Sequence, residues 1–591
     1  MKNIDSPAAA RLESLVNVAL GSEKADLAVV GGDLVDVYTG EVLKGWSVAV
    51  KGEWIAYVGE DASHTVGPQT KVIDVSGKTL IPGFIDGHAH MLHTYGTVEE
   101  FLKYVIRTGT TTIISETLDF AFTLGYEGVL DFLQAVKDQP IKIFATVPST
   151  IANGQQSYRN NISPEQFRRL LEHDGILGVG ESNWASVVKG NRLIFDLFAD
   201  TLRWGKKLEG HAAGARGNKL VAFAASGNSS DHEPIAAEEV LDRLRLGMYV
   251  LIREGDVRHD LEAVSKIKDE QVDFRRLCIC TDGIGVKHLM NKGYMDSVAQ
   301  KAVDLGFDPV TAIQMVSLNP AEHFGIDDIA GGIAPGQHAD IVVIPSPTDI
   351  KPEVVISKGR IVAADGESLI EPGKHVYPES FRNTIRIPRQ LKPADFSIRF
   401  DSTADEVTAR VIDMGTDIAN KEARLAVPVS AGEVKVDIER DIIKLSAIDR
   451  IHNSGRMFTG LIRGFGLKRG AFAVTASWDA ACILVVGSSQ EDMAGAVARI
   501  RQMGGGSVVY ADGRVLAELP LPIGCQTSDL PMEEIDRRMD QIQQAVTELG
   551  CRIPYAHLML VTLSTTIIPS IRISPEGLLD IRTGELLDLF L

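Results

Sequence analysis

Between residues 80 and 330, short apolar runs alternate with stretches of helical periodicity, and this alternation constrains the fold more than any other feature. The predicted strands are TLIPGFID (79–86), TTTIIS (110–115), IKIFATV (141–147), ILGVGE (176–181), KKLEGH (206–211), AAS…SDH (224–232), MYVLIRE (248–254) and LCICTD (277–282). Helical stretches such as SPEQFRRLLEHDG and AAEEVLDRLRLG carry Ser or acidic residues at their start and Gly at their end, as helices do. Eight strand–helix units are typical of a (β/α)8 TIM-like barrel rather than of a six-strand doubly wound sheet.

Two β-rich stretches flank this region, one at residues 25–60 and the other at residues 338–367. In both, apolar and polar residues alternate in short runs that glycine-containing turns interrupt. An amphipathic helix is predicted within the first twenty or so residues, ahead of the first β-rich stretch. We therefore expect residues 1–79 and 331–375 to form one composite small β domain, with the α/β barrel over residues 80–330 between its two parts.

The last third of the chain is predicted to fold as a separate mixed α/β domain, residues 385–591. A proline-containing linker, RIPRQLKPADF, lies at its start, and a later stretch beginning ILVVGSSQEDMAG reads as strand, helix, strand, strand. Three consecutive glycines, residues 504–506, invite comparison with a phosphate-binding loop. No Gly-Lys-Ser/Thr follows them and a strand does, so a turn is predicted there.

Histidines and carboxylates occur at the carboxyl ends of the predicted strands, where a barrel carries its chemistry. His88 and His90 end the first strand, and residues i and i+2 of a strand point to the same face, so both can reach one ion. The fourth, fifth, sixth and eighth strands also end in such residues. The predicted metal ligands are His88, His90, Glu181, His211, His232 and Asp282.

Four imidazoles and two carboxylates suit two divalent ions such as Mn, Fe or Zn, with Glu181 as the bridging carboxylate. Two such ions lower the pKa of a shared water toward neutrality, and Glu233 or Asp282 could transfer its proton. Each residue alone also fits a structural role, as a helix cap or an ion-pair partner. Their joint position at five strand ends favours a metal site.

Other metal-ligand residue types are assigned no such role. Cys278 and Cys280 lie within one strand without a partner motif and are interpreted as small buried hydrophobic residues. His93, His173, His259 and His323 fall away from strand ends and are likewise assigned no metal role.

Composition narrows the class of partner. A formal net charge of -19 excludes the phosphate backbone of a nucleic acid and an anionic membrane surface as partners, because both would be repelled. Five cysteines in 591 residues do not form a secreted disulfide framework, and neither a signal peptide nor a membrane span is recognised. We expect a cytoplasmic protein with a small-molecule substrate. A homo-oligomer, with a dimer favoured, is also expected.

Several of these segments, in order and spacing, resemble the adenine deaminase family of the amidohydrolase superfamily. In the barrel region they are PGFIDGHAH, GTTT, VGE, EGHAAG, SDHE, CTD and DPVTAIQMVSLNPAEHFG, and after it RGFGLKRGAFA, EDMAGAVARIRQMGGGSVV and LPLPIG. The resemblance covers nearly the whole chain. It implies a binuclear-metal barrel that converts adenine to hypoxanthine and ammonia, with the six ligands above, Glu233 as the proton-transferring carboxylate, and an adenine-deaminase-type C-terminal domain.

The sequence departs from the family where substrate-facing groups are expected. Leu92 replaces an acidic residue two positions after the second histidine, and SETL (115–118), with Thr117, replaces the family's DPHE. Gly283 follows CTD where the family has a second aspartate, and SWDAAC (477–482) places Trp478 and Cys482 where polar donors are usual. Buried polar groups are what let a site accept one base and reject another. The departures therefore bear on the identity of the substrate and not on metal-dependent hydrolysis itself.

Three hypotheses are therefore carried forward. The leading one is deamination of adenine, in which Asp282 accepts the proton of the attacking water and Glu233 protonates a ring nitrogen. In the second, the same metal pair acts on a different amino-heterocycle or a cyclic amide. The third is a catalytically silent binding protein, which the complete set of ligands argues against.

Overall fold

The computed structural model describes residues 7–149, 160–415, 420–565, 568 and 570–591, and it shows an α/β protein. Its α-helices are α1 (Pro7–Ala19), α2 (Val98–Val105), α3 (Leu118–Val136), α4 (Pro164–Leu171), α5 (Trp184–Val188), α6 (Arg192–Arg203), α7 (Asn218–Ala225), α8 (Ala237–Arg245), α9 (Leu261–Val264), α10 (Val286–Lys292), α11 (Met295–Asp304), α12 (Pro309–Met315), α13 (Leu318–Phe324), α14 (Gln490–Met503), α15 (Met532–Glu548) and α16 (Ala556–Thr562). Among the described residues, no helix is both long and apolar enough to cross a membrane.

The strands of the first two thirds of the chain are β1 (Leu27–Asp36), β2 (Glu41–Lys51), β3 (Trp54–Gly59), β4 (Lys71–Asp74), β5 (Thr79–Pro82), β6 (Phe84–Ala89), β7 (Thr110–Glu116), β8 (Lys142–Pro148), β9 (Ile176–Asn183), β10 (Lys207–His211), β11 (Ser230–Asp231), β12 (Tyr249–Arg253), β13 (Leu277–Cys280), β14 (Ile341–Ile344), β15 (Val354–Ser357), β16 (Arg360–Ala364) and β17 (Glu367–Ser368). Those of the last third are β18 (Glu406–Met414), β19 (Asn420–Ser430), β20 (Glu433–Val434), β21 (Ile442–Asp449), β22 (Met457–Arg463), β23 (Ala471–Val474), β24 (Cys482–Gly487), β25 (Gly506–Ala511), β26 (Arg514–Pro520), β27 (Ile571–Ser574), β28 (Gly577–Asp580) and β29 (Glu585–Leu587).

One sheet joins strands from both ends of the barrel region, in the order β17-β16-β15-β14-β5-β1-β2-β3, with β4 alongside β1. Strand β14 runs antiparallel to β5, and Val342 lies opposite Ile81. The amphipathic helix α1 packs Leu15 and Val18 against Ala49 of this sheet. Residues 27–82 and 341–368 therefore contribute strands to one sheet.

A second, curled sheet consists of parallel strands. Strands β6 to β10 pair in chain order, and β11 to β13 do the same. At one junction Ser229 N donates to Leu208 O at 2.9 Å, and at the other Asp282 N donates to His88 O at 3.0 Å. Helices α2 to α13 follow the strands in turn. This arrangement is consistent with a TIM-like barrel, and it brings the carboxyl ends of the strands to one edge.

Local sequence signals explain the helices between these strands. Ser163 caps α4 in a capping box, since its Oγ accepts from Gln166 N at 3.2 Å while Gln166 Oε1 accepts from Ser163 N at 2.9 Å. Pro164 occupies the first helical position, where its missing N–H is not needed. Helix α8 lies within AAEEVLDRLRLG as predicted.

Two predicted strands differ from the structure. The run 79–86 is divided at Gly83, so that β5 belongs to the first sheet and β6 begins the parallel sheet. A side chain at Gly83 would collide with the side chain of Thr111, which explains the glycine at this crossing. In the run 224–232, only the pair in β11 is a strand, because α7 extends through the first residues of the run.

The last third of the chain forms a mixed sheet in the order β20-β19-β18-β22-β21-β24-β23-β25-β26, with a small sheet of β27 to β29 beside it. Strand β24, helix α14 and strands β25 and β26 follow the predicted order. The three glycines at 504–506 all have positive φ: Gly504 and Gly505 form the turn that precedes β25, as the sequence predicts, and Gly506 begins the strand. This region contacts the barrel region through Tyr95, whose backbone carbonyl accepts from Ser528 N at 2.7 Å.

Candidate metal centre and active site

All six predicted ligands lie at the carboxyl edge of the parallel sheet, together with Glu233. His88 is within β6 and His90 follows it, Glu181 is in β9, His211 ends β10, His232 and Glu233 follow β11, and Asp282 follows β13. All are buried except His90 and Glu233, which are partly buried. The structure thus brings together residues that are far apart in the chain, from His88 to Asp282, which are 194 positions apart.

Asp86 fixes the first of these strand ends. Its Oδ1 accepts from His88 N at 3.2 Å, and its Oδ2 accepts from the hydroxyls of Thr281 and Tyr294, each at 2.6 Å. A buried carboxylate with this many donors is well satisfied. It holds β6 beside the segment that follows β13, so that His88 and Asp282 are neighbours.

Asp231 makes the turn that brings Glu233 to the site. Its Oδ1 accepts from Glu233 N at 3.1 Å and from Ala212 N at 2.9 Å, while its Oδ2 accepts from Arg243 Nε at 2.8 Å. Side-chain acceptance of this kind replaces the strand ladder with a turn. Consecutive residues would otherwise point to opposite faces, and the turn lets His232 and Glu233 face the same space.

Glu181 lies at the centre of the cluster. Its Oε1 is 3.3 Å from His90 Nε2, 3.6 Å from His88 Nε2 and 3.7 Å from His232 Nε2, and its Oε2 is 2.9 Å from His211 Nδ1. A single carboxylate thus touches all four imidazoles. This is the position that a bridging ligand requires.

The donor set fits divalent cations. Within the described residues, the ligand atoms of three groups lie within 4.8 Å of one another: His88, His90 and Asp282; His88, Glu181 and His232; His211, His232 and Glu233. His88 Nε2 is buried and makes no hydrogen bond in the described part of the chain. Imidazole nitrogens and carboxylate oxygens that face one another without hydrogen-bond donors between them can direct their lone pairs at a cation.

The charge of the cluster supports the same conclusion. Burial by itself lowers the pKa of His211, but the negative charges of Glu233 and Glu181 outweigh it and raise the pKa to about 9. Burial likewise lowers the pKa of His90, yet the neighbouring carboxylates of Asp119 and Glu181 raise it well above its usual range. The carboxylates therefore favour positive charge in this buried space, which a divalent cation would supply.

Two carboxylates that the sequence analysis did not select lie behind the histidines. Glu116 Oε1 is 3.6 Å from His88 Nδ1, and Asp119 Oδ2 is 3.9 Å from His90 Nδ1. Carboxylates at the far nitrogen of a ligating imidazole fix its tautomer and orientation. Glu116 ends β7, so the strand-end rule would have found it had the predicted strand been one residue longer.

Arg253 is another site residue that the sequence analysis does not predict, although it ends β12. Its Nη1 donates to Glu233 Oε1 at 2.5 Å and lies 3.7 Å from Asp282 Oδ2. Its Nε donates to Asp260 Oδ2 at 3.0 Å. A buried guanidinium with three carboxylate neighbours holds Glu233 in place and offsets the negative charge.

The ligand groups open into a cavity of about 320 Å³. Glu181, His211, Glu233, Arg253 and Asp282 line its polar side, and Leu118, Ile235, Val257, Trp478 and Ile568 line its apolar side. His93 also lines it, and burial lowers the pKa of this imidazole to about 4, so that it is neutral near pH 7. The volume is of the order that small-molecule sites have.

The residues at which the sequence departs from the family do not all lie at the cavity. Trp478 lines the cavity, and Gly283 lies against Val257 and His93 on its wall. Leu92 is buried beside it, whereas Thr117 turns its hydroxyl to Thr146 O at 2.6 Å. Cys482 is buried in β24.

The residues assigned no metal role lie outside the described ligand groups. His259 contacts Glu254 at 2.9 Å, His323 contacts Glu209 at 2.8 Å, and His173 accepts from Gly175 N at 3.0 Å. Cys278 and Cys280 are buried free thiols in β13.

The parallel sheet and the histidines and carboxylates at its carboxyl edge define a protein of the amidohydrolase class. Residues 79–362 match the model of the Amidohydrolase family, and residues 417–585 match that of the Adenine deaminase C-terminal domain. An adenine deaminase of Moorella thermoacetica is 36% identical over 99% of this chain and 98% of its own length. One of Clostridium botulinum is 34% identical (98% and 97%), and adenine deaminase 3 of Rhizobium meliloti is 35% identical (97% of each).

The chain belongs to the adenine deaminase family. It is therefore a hydrolase that acts on C–N bonds, and its family and its histidine–carboxylate groups indicate the use of divalent metal.

Proposed function

We propose that this chain deaminates adenine to hypoxanthine and ammonia in the cavity at the carboxyl edge of the parallel sheet. The observation that carries the proposal is the convergence of four imidazoles on Glu181, next to Glu233 and Asp282. Relatives that are named adenine deaminase and match the whole chain support the substrate. The cavity has room for a purine base and a water molecule.

We propose that two divalent ions, of Mn, Fe or Zn, occupy the site. His88, His90 and Asp282 would hold one, His211 and His232 the other, and Glu181 would be shared by both. Such ions lower the pKa of a water toward neutrality and thereby make hydroxide available at pH 7. The three overlapping ligand groups support this division.

Side chains of the protein carry out the proton transfers of the proposed reaction. Asp282 accepts a proton from the water that attacks C6 of the purine, and Glu233 delivers a proton to a ring nitrogen. The proton held by Asp282 then passes to the amino group, the C6–N bond breaks and ammonia leaves. Glu233 recovers its proton from the new hydroxyl group as the C6 carbonyl forms, so that adenine and water give hypoxanthine and ammonia. Arg253 keeps Glu233 directed at the cavity through their 2.5 Å hydrogen bond. The buried setting strengthens each of these electrostatic interactions.

The substitution His88→Ala tests the metal site. We expect the variant to lose bound metal and adenine turnover together, because His88 belongs to two of the ligand groups, while its circular dichroism spectrum stays that of the wild type. Elemental analysis and ammonia release measure the two losses. His173→Ala is the matched control, since His173 is exposed and outside the ligand groups. Unchanged metal content in His88→Ala would contradict the assignment.

A second candidate activity is hydrolysis of a different amino-heterocycle or of a cyclic amide. The departures at Leu92, Thr117, Gly283 and Trp478, of which Trp478 lines the cavity, are the reason to test substrates other than adenine. Purines, pterins and cyclic amides assayed with the Mn- and Zn-loaded enzyme separate the two activities. A purified protein without any bound metal would instead favour a catalytically silent binding protein.

The remaining expectations are proposals as well. We propose that residues 1–79 with 331–375, 80–330 and 385–591 are the three domains, and the pairing of β14 with β5 supports the first. A cytoplasmic location is supported by the free, buried cysteines. A homodimer is proposed, and light scattering on the purified protein tests it.

A further inference from the structure

The apolar side of the cavity includes an aromatic side chain from the far end of the chain. Trp478 lies in the segment between β23 and β24, yet it lines the same cavity as His211 and Glu233. It also lines a small adjoining space with His93 and Asp119. The catalytic face of the cavity is therefore built by the barrel region, whereas part of the opposite wall comes from the C-terminal region.

The backbone next to Trp478 is held in place by Gln526. Ser477 N donates to Gln526 Oε1 at 3.0 Å, and Gln526 Nε2 donates to Ser477 O at 2.5 Å. On the other side, Ala480 N donates to Ser477 Oγ at 2.9 Å. Both Ser477 and Gln526 are buried. A residue in a segment fixed from both sides presents its ring in one place, which lowers the entropy lost when a ligand binds.

The indole N–H of Trp478 has no hydrogen-bond acceptor within the described part of the chain, and the nearest aromatic neighbour of the ring is His93, with ring centroids 6.3 Å apart and planes tilted by 44°. Buried indole N–H groups normally find an acceptor. A partly buried ring that packs against the core on one side and lines the cavity on the other is suited to a flat, polar-edged ligand.

We infer that Trp478 is a specificity-determining residue that stacks on the substrate and selects planar aromatic heterocycles over saturated cyclic amides. The inference rests on the proposed function and narrows its substrate class. A purine offers a π face to the indole, whereas a saturated ring offers only its edge and C–H groups. The apolar neighbours Leu118 and Val257 favour the same flat ligand, because they desolvate its faces without competing for its polar edge.

The test compares Trp478→Ala with Trp478→Phe in the metal-loaded enzyme. A base stacked on an aromatic side chain loses about 5- to 150-fold in affinity when that side chain becomes alanine. We therefore expect KM for adenine to rise by that factor in Trp478→Ala and kcat to change little, since stacking is present in both the ground and transition states. Phenylalanine should restore most of the affinity. A purely structural role for Trp478 would not give this split or this rescue.

Binding measured directly separates this inference from the proposed function. Equilibrium dialysis of the metal-loaded Glu233→Gln enzyme, in which turnover is slow, with adenine and with dihydrouracil, a saturated cyclic amide, should show a preference for adenine that an added Trp478→Ala reduces. Trp204→Ala, at an exposed site, is the control. Binding of adenine without deamination by the wild type would contradict the proposed function, but it would still support stacking on Trp478. An unchanged preference in Trp478→Ala, or no binding of adenine, would overturn the inference.

Discussion

Glu181 and Asp282 both have left-handed backbone conformations, with φ of 51° and 59°. Residues other than glycine, asparagine and aspartate rarely adopt this conformation, which costs about 1–3 kcal/mol and clusters at functional sites. At these strand ends it turns each carboxylate inward, where Glu181 meets four imidazoles and Asp282 meets two. Backbone strain and ligand geometry thus coincide at Glu181, whereas at Asp282 the same turn is made by a residue type that tolerates it.

The role of Glu233 is tested by Glu233→Gln, which preserves shape and removes the titratable proton. We expect both metal ions to remain and turnover to fall by about a hundredfold or more, the usual contribution of a positioned general acid–base. Ammonia release and elemental analysis measure the two quantities. Glu165→Gln, on the exposed surface of α4, is the control and should behave as the wild type.

Metal content decides between two roles for Glu233, because its carboxylate belongs to one ligand group with His211 and His232. A fall in metal occupancy in Glu233→Gln would make it a ligand. Near-normal turnover with full metal occupancy would mean that Asp282 and the metal ions carry out the proton transfer without Glu233.

The residues of the site that the sequence revealed share one property. They end strands whose apolar runs are easy to see, so the spacing of His88, His90 and Asp282 already placed them at one edge. Glu116 and Arg253 also end strands, but they do not belong to a recognisable pair of ligands. Asp119 lies in the first turn of α3, where an acidic residue is ordinary, and only the fold brings it to His90.

At the scale of elements, the run TLIPGFID shows where sequence patterning stops being informative. Strands β5 and β6 are buried on both faces, so neither has the alternation that would separate it from its neighbour. What divides them is tertiary: β5 pairs with β14 and β1, whereas β6 pairs with β7. Glycine at 83 permits the close approach to Thr111 that this change of sheet requires.

The substitution Gly83→Ala tests this crossing. The added methyl group would overlap the Thr111 side chain, and overpacking of a buried site costs about 1–3 kcal/mol. We expect a lower midpoint of thermal unfolding, measured by calorimetry. Gly373→Ala is the matched control, because its added carbon would come no closer than 3.4 Å to any neighbour. Equal midpoints for the two variants would show that the crossing tolerates a side chain.

At the scale of the whole molecule, the C-terminal region completes the cavity. Tyr95, just beyond the first metal ligands, contacts His557 Nδ1 through its hydroxyl at 3.2 Å, and His557 Nε2 contacts Ser507 Oγ at 2.7 Å. These buried contacts join residues 462 positions apart. No local pattern in the sequence indicates such a pairing, which is why the contribution of Trp478 to the cavity wall becomes evident only in the structure.

The proposed metal site also bears on the stability of the whole chain. Glu181, Glu233 and Asp282 converge in a buried space, and buried charges without compensation are strongly destabilising. Ions that bind only the folded state stabilise it by about 1.4 kcal/mol for each tenfold excess over the dissociation constant, at each site. Chelation should therefore lower the unfolding midpoint, and added Mn or Zn should restore it.

Calorimetry with and without a chelator measures this effect, and elemental analysis of the same samples counts the ions. We expect about two ions per chain in the wild type, because the six ligands divide into overlapping groups around Glu181. His88→Ala is the control: with its site disrupted, its unfolding midpoint should respond much less to the chelator. One ion per chain would leave Glu181 an ordinary ligand rather than a bridge. A wild-type midpoint that stays the same after the chelator has removed the ions would contradict a stabilising metal centre, since removal of the ions would then be without thermodynamic consequence.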